Sequence, residues 1–176
     1  MEIYFLRHAS AGDKKLPGKK DEKRPIDTKG EEQSHQVGKL LAALGVQPDV
    51  FISSPLTRAV QTAHIVAEEI GFTEDIALED ALRPDASFED FEEMLEDYKS
   101  ADSIVVAGHN PNLSEFLSLI VTSGGNEEAF DLKKGGVAKI ERKKQSAVLQ
   151  WCLTPKIASV AYEPATTSSR PKTSRK

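Results

Sequence analysis

Three short apolar runs, each followed directly by a polar segment, constrain the fold of this chain most strongly. They occupy residues 3–6, 50–52 and 104–106. An uninterrupted apolar run of this length is typical of a strand that is covered on both faces, as in a parallel sheet. Stretches with helical spacing separate the runs. The alternation predicts a mostly parallel central sheet with helices on both faces.

Four helical stripes and a hairpin complete the predicted architecture. Each stripe has apolar residues three or four positions apart, which suits a helix that packs one face on the sheet. Ser87 and Asp90 resemble a helix N-cap and its partner three residues later. Two strands near residues 137–140 and 147–151, joined by a charged turn, predict a C-terminal β-hairpin. The stripes are Val37/Leu40/Leu41/Leu44, Val60/Ala63/Ala67/Ile70, Phe88/Phe91/Leu95/Tyr98 and Leu113/Phe116/Leu117/Ile120.

The length of 176 residues fits one domain with a well-buried core. We predict a single three-layer α/β domain over residues 1–155. Residues 156–176 lose the periodicity and end in a polar, basic stretch, so we expect a partly disordered extension.

Composition excludes several classes of function. A net charge of −5 argues against nucleic-acid binding, which needs a basic surface. No apolar run is long enough to span a bilayer, and Arg7 and His8 interrupt the apolar segment near the start, so we expect neither a membrane protein nor a secretory signal. The single Cys152 cannot form an internal disulfide and is expected to be a core thiol in a cytoplasmic protein.

Polar segments at the ends of the three predicted parallel strands contain two arginines and two histidines. Ligands of open α/β sheets bind beyond the carboxyl ends of the strands, so these side chains are expected to converge. The segments are Leu6-Arg7-His8-Ala9, Ser53-Ser54-Pro55-Leu56-Thr57-Arg58 and Gly108-His109-Asn110-Pro111.

These residue types suit phosphoryl transfer. Arginine presents a planar fork that binds two phosphate oxygens at once. A neutral imidazole can attack phosphorus near physiological pH without prior deprotonation. No closely spaced set of metal ligands occurs, so we expect a site without metal or cofactor. His35 and His64 lie outside these segments; His35 is expected at the surface and His64 to be packed or to support the site.

The same segments, with Gln61-Thr62 after the second, resemble the histidine phosphatase superfamily, also called phosphoglycerate mutase-like. The small size and the segment Arg24-Pro25-Ile26-Asp27 are similar to its SixA-type phosphohistidine phosphatase branch. The resemblance implies that His8 is a nucleophile that becomes phosphorylated. It also implies that Arg7, Arg58 and His109 bind the phosphoryl oxygens, with His109 most effective when protonated. Arg24 is expected to line the substrate side.

The proton donor for the leaving group is left open by the sequence. The candidates are Glu79, Asp80 and Asp85, together with the loop residues Asp13 and Asp21. General acid assistance is typically worth about 10²–10⁴-fold, and a phosphohistidine needs it less than an alkyl phosphate does. The expected substrate is therefore phosphohistidine on a partner protein. The alternatives are a small phosphomonoester, or a non-catalytic phosphate- or partner-binding module.

Overall fold

A six-stranded mixed sheet forms the centre of the described part of the molecule. The structure is a computed structural model that describes residues 1–12, 21–125, 129–144 and 146–162. The strand order is β3-β2-β4-β1-β5-β6. The first four strands of this order run parallel, and β5 and β6 form an antiparallel hairpin beside β1. The strands are β1 (Glu2–Arg7), β2 (Val50–Ser53), β3 (Ala77–Leu78), β4 (Ser103–Gly108), β5 (Val137–Arg142) and β6 (Ala147–Leu153).

Five α-helices cover the two faces of the sheet. They are α1 (Thr28–Ala43), α2 (Thr57–Ile70), α3 (Phe88–Asp97), α4 (Asn112–Thr122) and α5 (Pro155–Tyr162), with short 3₁₀ turns at Asp21–Lys23 and Asp80–Leu82. Alternate residues of β1 point to opposite faces, as the period of a strand requires. Tyr4 and Leu6 pack with α1, α2 and α5, whereas Ile3 and Phe5 pack with α3 and α4. The predicted three-layer α/β architecture is confirmed.

Two short elements were not predicted from the sequence. Strand β3 consists of two residues at the sheet edge, too short to show an alternation. Helix α5 begins at Pro155, and Ala158 is fully buried against the layer formed by α1 and α2. The first residues of the predicted extension therefore pack on the domain, while residues 163–176 lie outside the described residues. None of the described helices is long and apolar enough to cross a membrane.

Two side chains differ from the sequence-based expectations. The sequence predicts that His64 is packed or supports the site, but its side chain is exposed because α2 buries the face that carries Ala63 and Ala67. Cys152 was expected in the core, but it is exposed because it occupies an outward position in the alternation of the edge strand β6. The expected surface position of His35 is confirmed, and its Nδ1 lies 2.7 Å from Glu69 Oε1.

Candidate active site

The carboxyl ends of β1, β2 and β4 lie side by side and bring the three polar segments together. Arg7 pairs in register with Gly108, and Ser53 pairs with Ala107. The ladder continues past the strands, since the His8 N–H donates to the Gly108 carbonyl over 3.0 Å. The rings of His8 and His109 consequently lie 5.0 Å apart between centroids.

His8 is buried at the end of β1, with 7% of its surface exposed. Its Nδ1 lies 2.7 Å from the carbonyl oxygen of Ala9. A carbonyl can only accept, so Nδ1 carries the proton and the lone pair of the neutral ring is on Nε2. The Ala9 N–H in turn donates to Thr62 Oγ1 over 3.0 Å. The turn after β1 is thereby fixed to α2, and His8 is held in one tautomer.

His109 follows β4 and is also buried. Its Nε2 lies 2.9 Å from Ser54 Oγ, and that oxygen accepts from the Leu56 N–H over 3.4 Å. No other acceptor for the Ser54 hydroxyl proton occurs among the described residues, so we assign this hydroxyl as donor to Nε2. The proton of the neutral His109 ring is then on Nδ1, which is buried and has no hydrogen-bond partner within the described ranges.

Arg7 and Arg58 approach the two histidines from β1 and α2. Arg7 Nη1 donates to the Leu132 carbonyl, and Arg58 Nη1 donates to the Asp21 carbonyl over 3.0 Å. The Nε–H group of each arginine is buried and, over the part of the chain that the structure describes, lacks a hydrogen-bond partner. Buried donors are normally satisfied, so unpaired ones indicate a site that an acceptor can fill.

Burial keeps both imidazoles neutral. It lowers the pKa of His8 to about 3, and the charges of Arg58 and Arg7 act in the same direction, whereas the hydrogen bond to Ala9 opposes them. Burial likewise lowers the pKa of His109 to about 2, with His8 and Arg58 as further causes. Nδ1–H of His109 is therefore a neutral donor, and the expectation that His109 binds phosphoryl oxygens best when protonated stays a prediction.

Arg24 is buried close to these residues, but most of its donors are used by the protein. Its Nε donates to Asp21 Oδ1 over 2.9 Å, and its Nη1 donates to the carbonyls of Ala11 and Gly12. The other oxygen of the Asp21 carboxylate lies 3.3 Å from Arg58 Nη1. Asp21 thus bridges two arginines at the edge of the site. The role of Arg24 in substrate binding stays a prediction.

The described carboxylates considered as proton donors differ in their partners. Glu79 accepts from the Tyr98 hydroxyl over 2.9 Å, and Asp80 pairs with Arg83 over 2.6 Å. Asp85 is exposed, and Asp13 lies outside the described residues. Asp21 is the one that contacts a site arginine. Within the described ranges, no group of three or more histidine, cysteine or acidic side chains is placed to hold a metal ion.

The sequence did not assign the residues that position the catalytic side chains. Ser54 accepts from the Leu56 N–H and also contacts His109. Gln33 Oε1 accepts from the Ser10 N–H over 2.9 Å and ties α1 to the turn after β1. Gln61 Oε1 accepts from the Ile26 N–H over 2.9 Å. Of these, only Ser54 and Gln61 belong to a segment that the motifs marked.

The chain matches known structures over most of its length. It superposes on the protein histidine phosphatase SixA complexed with tungstate at a TM-score of 0.79 and 19% identity, covering 89% of this chain and 98% of that one. It superposes on the alpha-ribazole phosphatase from Shigella flexneri at a TM-score of 0.71 and 18% identity, covering 85% and 95%. At these identities the likeness shows the fold, which is phosphoglycerate mutase-like.

Sequence comparison identifies the family. A protein of Picosynechococcus whose function is uncharacterised is 36% identical over 140 residues, which are 78% of this chain and 82% of that protein. The family model of the histidine phosphatase superfamily (branch 1) matches residues 3–103. This range includes the segments around His8 and Arg58 and ends before His109. The chain therefore belongs to the histidine phosphatase superfamily.

Proposed function

We propose that this protein is a phosphatase that acts through a covalent phosphohistidine intermediate on His8. The observation that carries the proposal is a set of three buried N–H donors beside the neutral His8 ring that have no hydrogen-bond partner among the described residues. They are Nε of Arg7, Nε of Arg58 and Nδ1 of His109. Two guanidinium groups and one imidazole N–H suit an anion with several oxygens, such as a phosphoryl group.

In the first step, Nε2 of His8 attacks the phosphorus of the substrate. A bond forms between Nε2 and phosphorus, and the bond from phosphorus to the leaving group breaks. The leaving group departs with the bonding electron pair and takes a proton from solvent. Arg7, Arg58 and His109 Nδ1–H are oriented before the reaction, so they can stabilise charge on the phosphoryl oxygens in the transition state.

In the second step, water attacks the phosphohistidine. The new oxygen–phosphorus bond forms while the bond to Nε2 breaks, the proton lost by water passes to solvent, and inorganic phosphate leaves. The lone pair returns to Nε2, and Nδ1 keeps its proton through its bond to Ala9. These steps use side chains alone, so EDTA is expected to leave turnover unchanged.

The favoured substrate is a phosphohistidine on a partner protein. The charged side chains that shift the pKa of His8 are all cationic, and of the described proton-donor candidates only Asp21 contacts a site arginine, Arg58. An imidazole leaving group needs less help from a general acid than an alkoxide does. The fold neighbour SixA, a protein histidine phosphatase complexed with tungstate, supports this choice.

A small phosphomonoester is the second candidate substrate. The fold neighbour from Shigella flexneri is an alpha-ribazole phosphatase. The carboxylate of Asp21 is half-exposed and lies 3.3 Å from Arg58 Nη1, at the edge of the site. This candidate requires that Asp21, or another carboxylate, acts as general acid.

The nucleophile is tested by His8→Ala. We expect the variant to lose turnover, keep its fold by circular dichroism, and fail to accept ³²P from substrate, because Nε2 forms the covalent bond. Wild-type enzyme quenched without acid should carry the label on His8. Full activity in His8→Ala, or label on a serine, contradicts the mechanism.

Phosphoryl binding is tested by Arg58→Ala. Loss of an oriented donor should cost about 3 kcal/mol of transition-state stabilisation, or about a hundredfold in kcat/KM.

The substrate class is tested by a series of leaving groups. If no general acid assists, rates should fall steeply as leaving-group basicity rises, so phosphohistidine and aryl phosphates should react much faster than glycerol phosphate. Asp21→Asn should then leave kcat on phosphohistidine within a fewfold of wild type. A flat dependence on leaving-group pKa, together with a large loss in Asp21→Asn, would instead support the small-phosphomonoester candidate.

A further inference from the structure

A groove of about 750 Å³ opens beside the candidate active site. It lies between the first half of α1, the turn before β5 and the start of α5. We call it the lysine groove and define it by Lys29, Gln33, Lys134 and Lys156, which line its walls. Ser10, two residues after His8, also lines it.

The turn that carries Lys134 is hydrogen-bonded to the strand end that carries His8. The N–H of Gly135 lies 3.2 Å from the Arg7 carbonyl and 3.1 Å from the His8 carbonyl. Gln33, on the opposite wall, accepts from the Ser10 N–H. The walls of the groove are therefore attached to the backbone segment that carries His8, and the groove lies next to the site.

The shape of the lysine groove suits an extended segment better than a single anion. Lys29, Gln33 and Gln36 line one side, and they are spaced as one face of α1. Seven residues of an α-helix span about 10 Å. An extended chain rises about 3.3 Å per residue, so about three residues fit along this wall.

The charge of the lysine groove is positive, although the whole chain has a formal net charge of −5. Lys29, Lys134 and Lys156 are exposed, and none forms an ion pair with a described residue. Lys133, also on the rim, pairs with Asp131. Glu32 is the one acidic residue among those described along the lining. The three lysines belong to different walls of the groove, namely α1, the turn before β5 and α5, which fits several separate carboxylates.

We propose that the lysine groove binds an acidic polypeptide segment next to the phosphorylated residue of a protein substrate. The proposal rests on the proposed phosphatase function and narrows its substrate to phosphoproteins with acidic flanks. Attraction between such a segment and exposed lysines raises the rate of association and weakens as salt is added. The groove would thus select among phosphorylated proteins that offer the same phosphoryl group to His8.

The binding test uses the full chain and a fluorescent peptide of ten glutamates. The double variant Lys29→Gln/Lys156→Gln is compared with Lys99→Gln/Lys144→Gln, which removes the same charge outside the groove. We expect the groove variant to bind the peptide about tenfold more weakly at low salt, in line with loss of two rim charges. The control variant should bind like wild type. Equal binding by all three proteins, or equal loss in both variants, overturns the proposal.

A second measurement separates this proposal from the proposed function. The ratio of kcat/KM on a phosphohistidine protein with acidic flanks to kcat/KM on p-nitrophenyl phosphate should fall about tenfold in the groove variant and stay constant in the control. An unchanged ratio contradicts the proposal that the groove binds acidic segments of the substrate. A further outcome is that wild type hydrolyses no phosphohistidine protein while the groove variant still binds the peptide more weakly than the control variant. In that case the proposed substrate is wrong, and the groove is still a binding site for acidic segments.

Discussion

The two histidines of the site owe their chemical state to their neighbours. The Ala9 carbonyl accepts from Nδ1 of His8, so the proton of that ring is on Nδ1. The Ser54 hydroxyl donates to Nε2 of His109, so the proton of this second ring is also on Nδ1. The motifs of the sequence marked both histidines because they follow buried strands. They could not assign the partner of His109, because Ser54 lies 55 positions away along the chain.

Ser54→Ala tests the positioning of His109. Without the hydroxyl, the His109 ring can carry its proton on either nitrogen, so Nδ1–H is no longer always available to the phosphoryl group. A lost hydrogen bond of this kind is worth about 1 kcal/mol, or roughly fivefold to tenfold in kcat/KM. Steady-state kinetics across a pH series measure the loss, and Ser54→Thr, which keeps the hydroxyl, should restore activity.

Ser53→Ala is the matched control for that substitution. The Ser53 hydroxyl donates to the Ser54 carbonyl over 2.9 Å and does not contact His109. We expect the two alanine variants to unfold at similar urea concentrations but to differ in kcat/KM. Equal kinetic losses in both would show that Ser54 acts only through the stability of the loop.

At the scale of elements, the site depends on how closely α1 approaches the turn after β1. The Asp27 N–H donates to the Ser10 carbonyl, and the Asp27 side chain caps α1 by accepting from the Gly30 N–H over 2.8 Å. A Cβ atom on Gly30 would lie 2.0 Å from the Ser10 carbonyl oxygen. Glycine is thus required for close approach. The helical stripe predicted α1, but not this contact.

Gly30→Ala is expected to destabilise the fold and reduce activity together. The added methyl group would clash with the Ser10 carbonyl, and relieving the clash would move either α1 or the turn after His8. Overpacking of this kind typically lowers the free energy of unfolding by about 1–3 kcal/mol. Urea unfolding and turnover of an aryl phosphate measure the two effects. Gly12→Ala is the control, because its Cβ would meet nothing within 4 Å. A Gly30→Ala variant as stable as Gly12→Ala would contradict the packing argument.

At the scale of the whole molecule, two buried neutral histidines link stability to pH. Their folded pKa values, about 3 and about 2, lie below the unfolded value of about 6.5. Below about pH 6.5 the unfolded chain binds protons that the folded chain does not. The contribution of the two neutral histidines to stability is therefore complete above pH 6.5 and is lost progressively as the pH falls toward their folded pKa values.

The measurement is urea unfolding at pH 7 and pH 5. Each histidine should remove about 2 kcal/mol of stability over the 1.5 units below pH 6.5, at about 1.4 kcal/mol per unit. The double variant His8→Gln/His109→Gln should show a correspondingly shallower dependence on pH. Ser53→Ala, which removes a buried side chain without a titratable group, is the control and should keep the wild-type dependence. An identical slope in wild type and the His8/His109 variant would show that these rings are not held neutral.

The local sequence determined every described strand except β3, the helices α1 to α4, and the residues at the strand ends. Burial of one face repeats with the period of a strand or a helix, so it leaves a local pattern of apolar residues. This pattern predicted β1, β4 and the hairpin of β5 and β6. The convergence of His8, Arg58 and His109 also followed, because parallel strands place their carboxyl ends at one edge. Only the tertiary structure decided the Ser54–His109 contact, the packing of α5 and the lysine groove. These depend on residues distant in sequence, whose proximity no local pattern records.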